Sequence, residues 1–374
     1  MSPFLTTLGG GSVRGFGRGF QRIAAFGRVL YTWASSNAYG QLGVTGVNST
    51  SAPIQVGFFD GNKIACGASH VLSIKTNGTL WAWGFNSQYG QLGLGDLTNR
   101  SSPVQVGALT TWAAIAGGHV HTLAITNTGT LWSCGWNDNG QLGLSNTTTQ
   151  SSLTQVGALT NWLIAAGGYY HSAAIKTDGT LWAWGYNGEG QLGDGTVTER
   201  TSPVQVGALT TWQSVSCGDR FILAIENGKL YAWGRGTFGA LGLGNTTNYS
   251  SPVQVGSLTN WKSVSCGAFH SLAIKTDGTL WAWGYNGIGG LGTGDSTNYS
   301  SPVQIGNLTT WDFVNARIYS SHAIKTNNTL WVWGQQAQNA VGVNADNTVP
   351  TQVGASTGWV SVATGEAHAA GISA

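Results

Sequence analysis

The residues Leu-Trp-Ala-Trp-Gly, or a close variant, return about every fifty residues, and that period limits the fold of these 374 residues more than any other property. Full copies stand at Leu80–Gly84, Leu181–Gly185, Leu230–Gly234, Leu280–Gly284 and Leu330–Gly334, while Leu30-Tyr31-Thr32-Trp33 and Leu131-Trp132-Ser133-Cys134-Gly135 are degenerate. The second aromatic position falls at 33, 83, 134, 184, 233, 283 and 333, which makes seven repeats. A chain of this kind stacks copies of one small unit, none of which buries its apolar surface alone.

Each repeat reads as four short strands. In one copy these are Thr180 to Trp184, Ser202 to Val206, Trp212 to Cys217 and Phe221 to Ile225, with apolar residues at alternate positions. Between the first two lies a polar glycine loop, Asn187 to Gly193, and the fourth strand of a repeat runs into a Thr-Asp-Gly turn such as Thr276-Asp277-Gly278, a strong hairpin signal. Four strands in each of seven repeats predict an all-β, seven-bladed propeller of four-stranded blades. The chain enters its first repeat at Val29 to Trp33 and ends on segments matching a third and a fourth strand, Trp359 to Val362 and His368 to Ile372. The ring is therefore expected to close by pairing its two ends, which removes exposed sheet edges. The expected division is residues 1–28 as an irregular Gly/Arg-rich arm and 29–374 as the propeller.

Only 8% of residues are charged and 58 are glycine, yet 18 tryptophans and regular valine and isoleucine positions give the material for a core. Arg14, Arg18, Arg22 and Arg28 are the only charges before Asp60, so a basic arm precedes a nearly neutral body. The net charge of +2 gives no ground for a nucleic-acid binder. No apolar run is long enough to span a membrane, and the start lacks the basic-then-apolar order of a secretory signal. The arm residues Arg14, Phe16, Arg18, Phe20 and Arg22 are the candidate anchor to a partner: arginine offers forked donors and phenylalanine apolar area.

The residues that chemistry would need recur instead of converging. His70, His121, His171, His270 and His368 occupy one position of the repeat, and a residue placed once per blade is expected to satisfy backbone groups near its own blade, since one metal needs its ligands within about 2 Å. His119 and His322 lie outside that register and read as surface or packing residues. Cys66, Cys217 and Cys266 share a repeat position and Cys134 stands in a tryptophan's place, so all four read as small buried residues. The carboxylates fall in turns and loops with no facing pair, and no phosphate-loop, kinase or serine-hydrolase motif occurs. The expectation is a protein with no catalytic residues, cofactor or metal. Trp81, Trp182, Trp281 and Trp331 at one site, and Trp112, Trp162, Trp212, Trp261, Trp311 and Trp359 at another, recur too regularly for a ligand platform and read as core. Specificity is expected where copies differ, and the candidate ligand face is Trp136, Tyr169, Tyr170, Arg220, Tyr249 and Tyr299.

The pattern LWAWGxNxxGQLG, then SPxQVG, then GxxHxLAI resembles the repeat of the regulator of chromosome condensation family over residues 29–374. That resemblance implies a seven-bladed propeller whose glycine loops hold the turns. The eukaryotic namesake is a nucleotide exchange factor for a Ran-type GTPase that also docks on nucleosomes, through loops and an inserted hairpin for which repeats of 49 to 51 residues leave no room. Short-repeat bacterial relatives include secreted β-lactamase inhibitors. The arm, PFLTTLGGGSVRGFGR, is similar to the N-termini of tailed-phage structural proteins. Together these give, as the first expectation, a non-enzymatic propeller tethered by its arm to other structural proteins of a virion, with a host receptor or glycan as further partner. The alternatives are a cytoplasmic regulator binding a small GTPase or chromatin through a propeller face, and a polysaccharide-binding protein.

Overall fold

A computed structural model describes residues 28–57, 59–335 and 346–374. In them seven four-stranded antiparallel sheets stand around one axis. Outward from the axis, the third blade runs Trp162–Gly167, His171–Lys176, Leu181–Gly185, Arg200–Gln205. The first, second, fourth, fifth and sixth blades span 61–105, 112–155, 212–254, 261–304 and 311–352 in the same way. The only helical turn among the described residues is a 3-10 turn at Thr237–Gly239. No helix of theirs is long and apolar enough to cross a membrane.

The tryptophan strand is the third strand of its blade, not the first. The tight turn at Asp178-Gly179 leaves Leu181–Gly185 no choice but to pair with His171–Lys176, whereas residues 206–211 carry the chain from the outer edge of one blade to the axial strand of the next. Each sequence repeat thus supplies the outer half of one blade and the inner half of its successor. The seventh blade shows why this offset matters: its order is Thr50–Gln55, Val29–Ala34, His368–Ser373, Trp359–Thr364. Its ladder joins the chain ends from Val29 opposite Ser373 to Ala34 opposite His368, as the terminal segments predict.

Both surfaces of each sheet are buried, because alternate side chains meet the preceding and the following blade. Trp184 packs on Ile125, Leu131 and Val156 of the second blade, while Leu181 and Ala183 of the same strand pack on Val215 and Trp233 of the fourth. The Trp184 indole also donates to the Gln141 carbonyl of the preceding blade's glycine loop at 2.9 Å, and Trp83, Trp233 and Trp283 repeat the bond. Cys134 keeps this bond without an indole, its Sγ lying 3.5 Å from the Gln91 carbonyl. The loop glycine below such an indole has to be glycine: Gly193 has φ +71°, and a Cβ there would sit 2.5 Å from Trp233 Nε1. The three tryptophan positions are not equivalent. Trp83 and Trp184 are fully buried and Trp112 and Trp162 nearly so, but Trp81, Trp182, Trp281 and Trp331 are half-buried and capped by lysines, with Lys176 Nζ 3.5 Å from the Trp182 ring. Reading that last set as plain core was therefore incomplete.

Three of the five recurring histidines bridge blades, where the sequence suggested bonds within their own. His70 Nε2 lies 3.1 Å from Thr122 Oγ1, His121 Nε2 2.9 Å from Ser172 Oγ and His270 Nε2 2.9 Å from Ser321 Oγ, in each case on the following blade. These hydroxyls donate to the carbonyls of Gln91, Gln141 and Gly290, so the imidazole must supply the proton of the other bond. Each ring lies against a glycine three residues earlier, and a Cβ on Gly118 would stand 2.0 Å from His121 Cε1. Gly118→Ala is expected to cost about 3 kcal/mol in urea unfolding, the upper range for overpacking a rigid site. Gly107→Ala, where nothing lies within 4 Å, carries only the strain of φ +61° and is the control, at about 1 kcal/mol.

Candidate functional site

Two kinds of connection build one end of the propeller, here called the upper face. Short turns join the axial strand to the second strand at residues 67–69, 118–120, 168–170, 218–220, 267–269, 318–319 and 365–367, and the glycine loops join the third strand to the fourth. Backbone bonds link successive turns around the axis, from Glu366 N to Ala68 O (2.8 Å), Ala68 N to His119 O (2.9 Å), His119 N to Gly168 O (3.0 Å) and Tyr169 N to Asp219 O (3.3 Å). Others tie each turn to its loop, as Trp136 N does to Val120 O and Tyr186 N to Tyr170 O. Inside the loops a buried asparagine acts as brace: Asn187 Oδ1 accepts from Leu192 N and its Nδ2 donates to the Thr198 carbonyl. The side chains on turns and loops are thereby held side by side.

These positions are where the repeats differ, and they gather aromatic rings and arginines. Tyr89 meets Trp136 at 5.3 Å between centroids, Trp136 meets Tyr170 at 4.9 Å, and Tyr170 meets both Tyr169 at 4.2 Å and Tyr186 at 6.2 Å. Arg220 lies over the Tyr186 ring and Arg235 over Phe269, which continues into Phe238, Tyr285 and Tyr319. The belt runs from the first blade to the sixth. Rings and arginines of this density on one surface match the composition of protein-interface hot spots.

At the axial mouth the belt encloses charges. His119 stacks on Tyr169 at 3.7 Å and its Nε2 reaches Glu366 Oε1 at 2.8 Å, across the small Ala68 of the intervening blade. Burial pushes the Glu366 carboxyl up, but the hydrogen bond from His119 and the nearby Arg317 more than offset it and hold it below its ordinary value. Asp219 is the reverse: burial outweighs Arg220 and Arg235, both 3.9 Å away, and its carboxyl is raised. Burial also lowers the Arg317 guanidinium, which Glu366, Asp219 and Tyr169 partly sustain. Below the mouth is a cavity of about 30 Å³ lined by Cys66, Cys217 and Cys266, whose thiols burial keeps protonated. All four cysteines are free and buried.

Of the residues singled out in the sequence, the structure brings Trp136, Tyr169, Tyr170 and Arg220 together. Tyr249 and Tyr299 begin outermost strands and brace their own loops, through Asn245 Nδ2 (3.1 Å) and Asp295 Oδ2 (2.9 Å). They stand where Arg100 and Arg200 bind Asp96 and Asp194 in other blades, outside the belt. Arg14, Phe16, Arg18, Phe20 and Arg22 lie outside the described residues. His119, taken for a surface or packing residue, is part of the mouth, and His322 is buried. Asp219, Arg235, Arg317 and Glu366 were missed. Their signal was present in the aligned turns GASH, GHVH, GYYH, GDRF, GAFH, RIYS and GEAH, where the middle letters differ most and one copy breaks the frame.

The regulator of chromosome condensation (RCC1) repeat matches residues 29–74, 77–125, 128–175, 178–225, 227–274 and 277–317, well over half of the sequence. A second form of that repeat matches 62–91, 112–141 and 163–191. The chain belongs to the regulator of chromosome condensation repeat family. No curated protein sequence matches it. Among solved structures it is similar to Prp20p of Saccharomyces cerevisiae, described with its binding properties to Gsp1p and histones (19% identity, 93% of this chain and 92% of that one, TM-score 0.82). It is similar also to yeast RCC1 (Prp20) bound by Kap60 (19%, 93% and 89%, TM-score 0.81) and to human WBSCR16 (20%, 92% and 98%, TM-score 0.81). At these identities the likeness establishes the fold. None of these solved structures is described as a virion component, and nothing in the comparisons supports the particle-bound expectation.

Proposed function

We propose that this propeller is a protein-docking module that engages a small GTPase or a histone-like protein with its upper face. The observation that carries the reading is the belt from Tyr89 through Trp136, Tyr170, Tyr186 and Arg220 to Tyr319: it is confined to one face and made of the positions at which the repeats differ. What every blade shares serves the ring, and what one blade has alone serves an asymmetric partner. Support comes from the family and from yeast Prp20, whose structures are described with protein partners. Such a role needs no covalent chemistry, since docking free energy alone can favour one partner conformation.

The test is capture of purified small GTPases in nucleotide-free form, and separately of core histones, on the immobilised chain. Trp136→Ala and Tyr170→Ala are each expected to weaken capture by about 2 kcal/mol or more, roughly thirtyfold, as truncated interface anchors do. Leu209, 42% exposed on the opposite face, is expected to tolerate alanine without effect. Loss of binding in Leu209→Ala with full binding in the other two would move docking to the lower face and refute the assignment.

A further inference from the structure

We propose that Arg317 anchors a carboxylate-binding subsite at the axial mouth, receiving an acidic side chain of the docked protein. This rests on the docking reading only for the source of the carboxylate. Six of the seven turns begin with glycine, Gly67, Gly118, Gly168, Gly218, Gly267 and Gly365, and in each an added Cβ would lie 2.0 to 2.3 Å from the ring of the residue three positions on. The sixth blade alone carries an arginine there, and it alone has a serine, Ser320, in place of that ring. The two departures are physically one change, because the smaller partner makes room for the larger residue.

That change has a conformational cost. The axial strand of the sixth blade is one residue longer, Trp311–Arg317, with Arg317 paired to Ser320, and the tightened turn forces Ile318 to φ +35°. A β-branched residue there is an outlier, of a kind that clusters at ligand-binding sites. Packing gives no return for it, since glycine with a ring three residues on, histidine in five blades and phenylalanine in the fourth, serves the others.

What Arg317 gains is a position among groups that already have partners. Glu366 is bonded to His119, and Asp219 lies between Arg220 and Arg235. Arg220 also reaches Glu189 at 3.6 Å. Among the described residues no carboxylate stands within 4 Å of Arg317, so its planar fork of donors keeps open valences at the axial mouth, within electrostatic reach of Glu366, Asp219 and the Tyr169 that stacks on His119. The axial cavity that Arg317 helps to line, about 30 Å³, has room for little more than one water, so an acidic side chain does not fit inside it and has to meet the guanidinium from the upper face. A planar carboxylate with two acceptor oxygens matches that fork, and part-burial strengthens a charge-assisted pair relative to one in water.

The experiment titrates the full chain with N-acetylglutamate amide, its neutral glutamine counterpart and inorganic phosphate, following the ring protons of Tyr169 and His119 by NMR. A saturable shift with the glutamate compound only is expected, at least about tenfold weaker or lost in the double variant Arg317→Gly with Ser320→His, which restores the frame of the other blades. Arg317→Gln gives the same reading should the double variant fail to fold. Equal responses to the glutamate and glutamine compounds, an undiminished response without Arg317, or tighter binding of phosphate would each overturn the assignment. Leu209→Ala, on the opposite face, is expected to leave this titration unchanged; the titration contains no protein partner, so failure of the docking reading and failure of the subsite are read separately.

Discussion

Acidification from neutrality to about pH 5 is expected to unfold this propeller, well above the range in which its carboxylates protonate. Burial between blades holds His70 well below its ordinary pKa, His121 and His171 down to about 3, and His270 and His368 down to about 4. The bonding explains why. Where Nε2 donates to the hydroxyl of the next blade, Nδ1 is left as a buried lone pair, unpartnered in His70 and His121, and a second proton would put a charge there with no acceptor. The folded pKa lies below the unfolded value near 6.5, so the unfolded chain binds more protons as pH falls. The stability these groups contribute is complete above about pH 6.5 and is lost on acidification towards their folded pKa values. Each costs about 1 kcal/mol per pH unit in that window, and five acting together approach about 5 kcal/mol per unit, against a total stability of about 5–15 kcal/mol for a typical domain. Asp219, raised by burial, works in the opposite sense but is a single group. Urea unfolding at a series of pH values, followed by tryptophan fluorescence, measures the proton uptake. His121→Phe, which copies Phe221 at the same position of the fourth blade, should lower that uptake by about one proton at pH 5. Stability that stays level between pH 7 and about 5 would show that the imidazoles are not buried neutral.

The same histidines show what the sequence can and cannot reveal. Their spacing announces one residue per blade, which is enough to place them in the ring and to argue against a metal centre. It does not say that the partner lies on the next blade, because the repeat read from the tryptophan strand straddles two sheets and hides which elements meet. The belt was legible in part, since Trp136, Tyr169, Tyr170 and Arg220 stand at irregular positions. Tyr249 and Tyr299 are just as irregular in sequence but face an asparagine and an aspartate of their own loops, a difference made only by the path of the loop. Arg317 was the hardest to see: one arginine among sixteen basic residues carries no weight until its turn is aligned with the other six and the serine three residues later is read with it.

Removing the last two strands, by ending the chain at Gly358, is expected to abolish cooperative folding of the whole ring and not of one blade. Trp359–Thr364 and His368–Ser373 form the axial half of the seventh blade, and their side chains enter two cores at once. Ala363, Ala370 and Ile372 pack with Ile64, Val71 and Trp83 of the first blade, while Trp359, Val362 and Ala369 pack with Phe313, Leu330 and Val332 of the sixth. Losing Trp359, Val362 and Ile372 alone forfeits about 1.5–3 kcal/mol each, and the ladder from Val29 to Ala34 becomes an unpaired edge, so the total approaches the whole stability of a typical domain. Thermal unfolding followed by tryptophan fluorescence should show no sharp transition, with association in sedimentation, and a peptide of residues 359–374 added in excess should restore the transition. Val29 and Ser373 are directly paired, so a permutant that joins them by a short linker and opens at the exposed 207–210 crossover keeps every sheet and should melt within a few degrees of the parent. A truncated chain that melts sharply at the parent temperature, or a permutant that fails to fold, would mean that the ring is not held by the pairing of its ends.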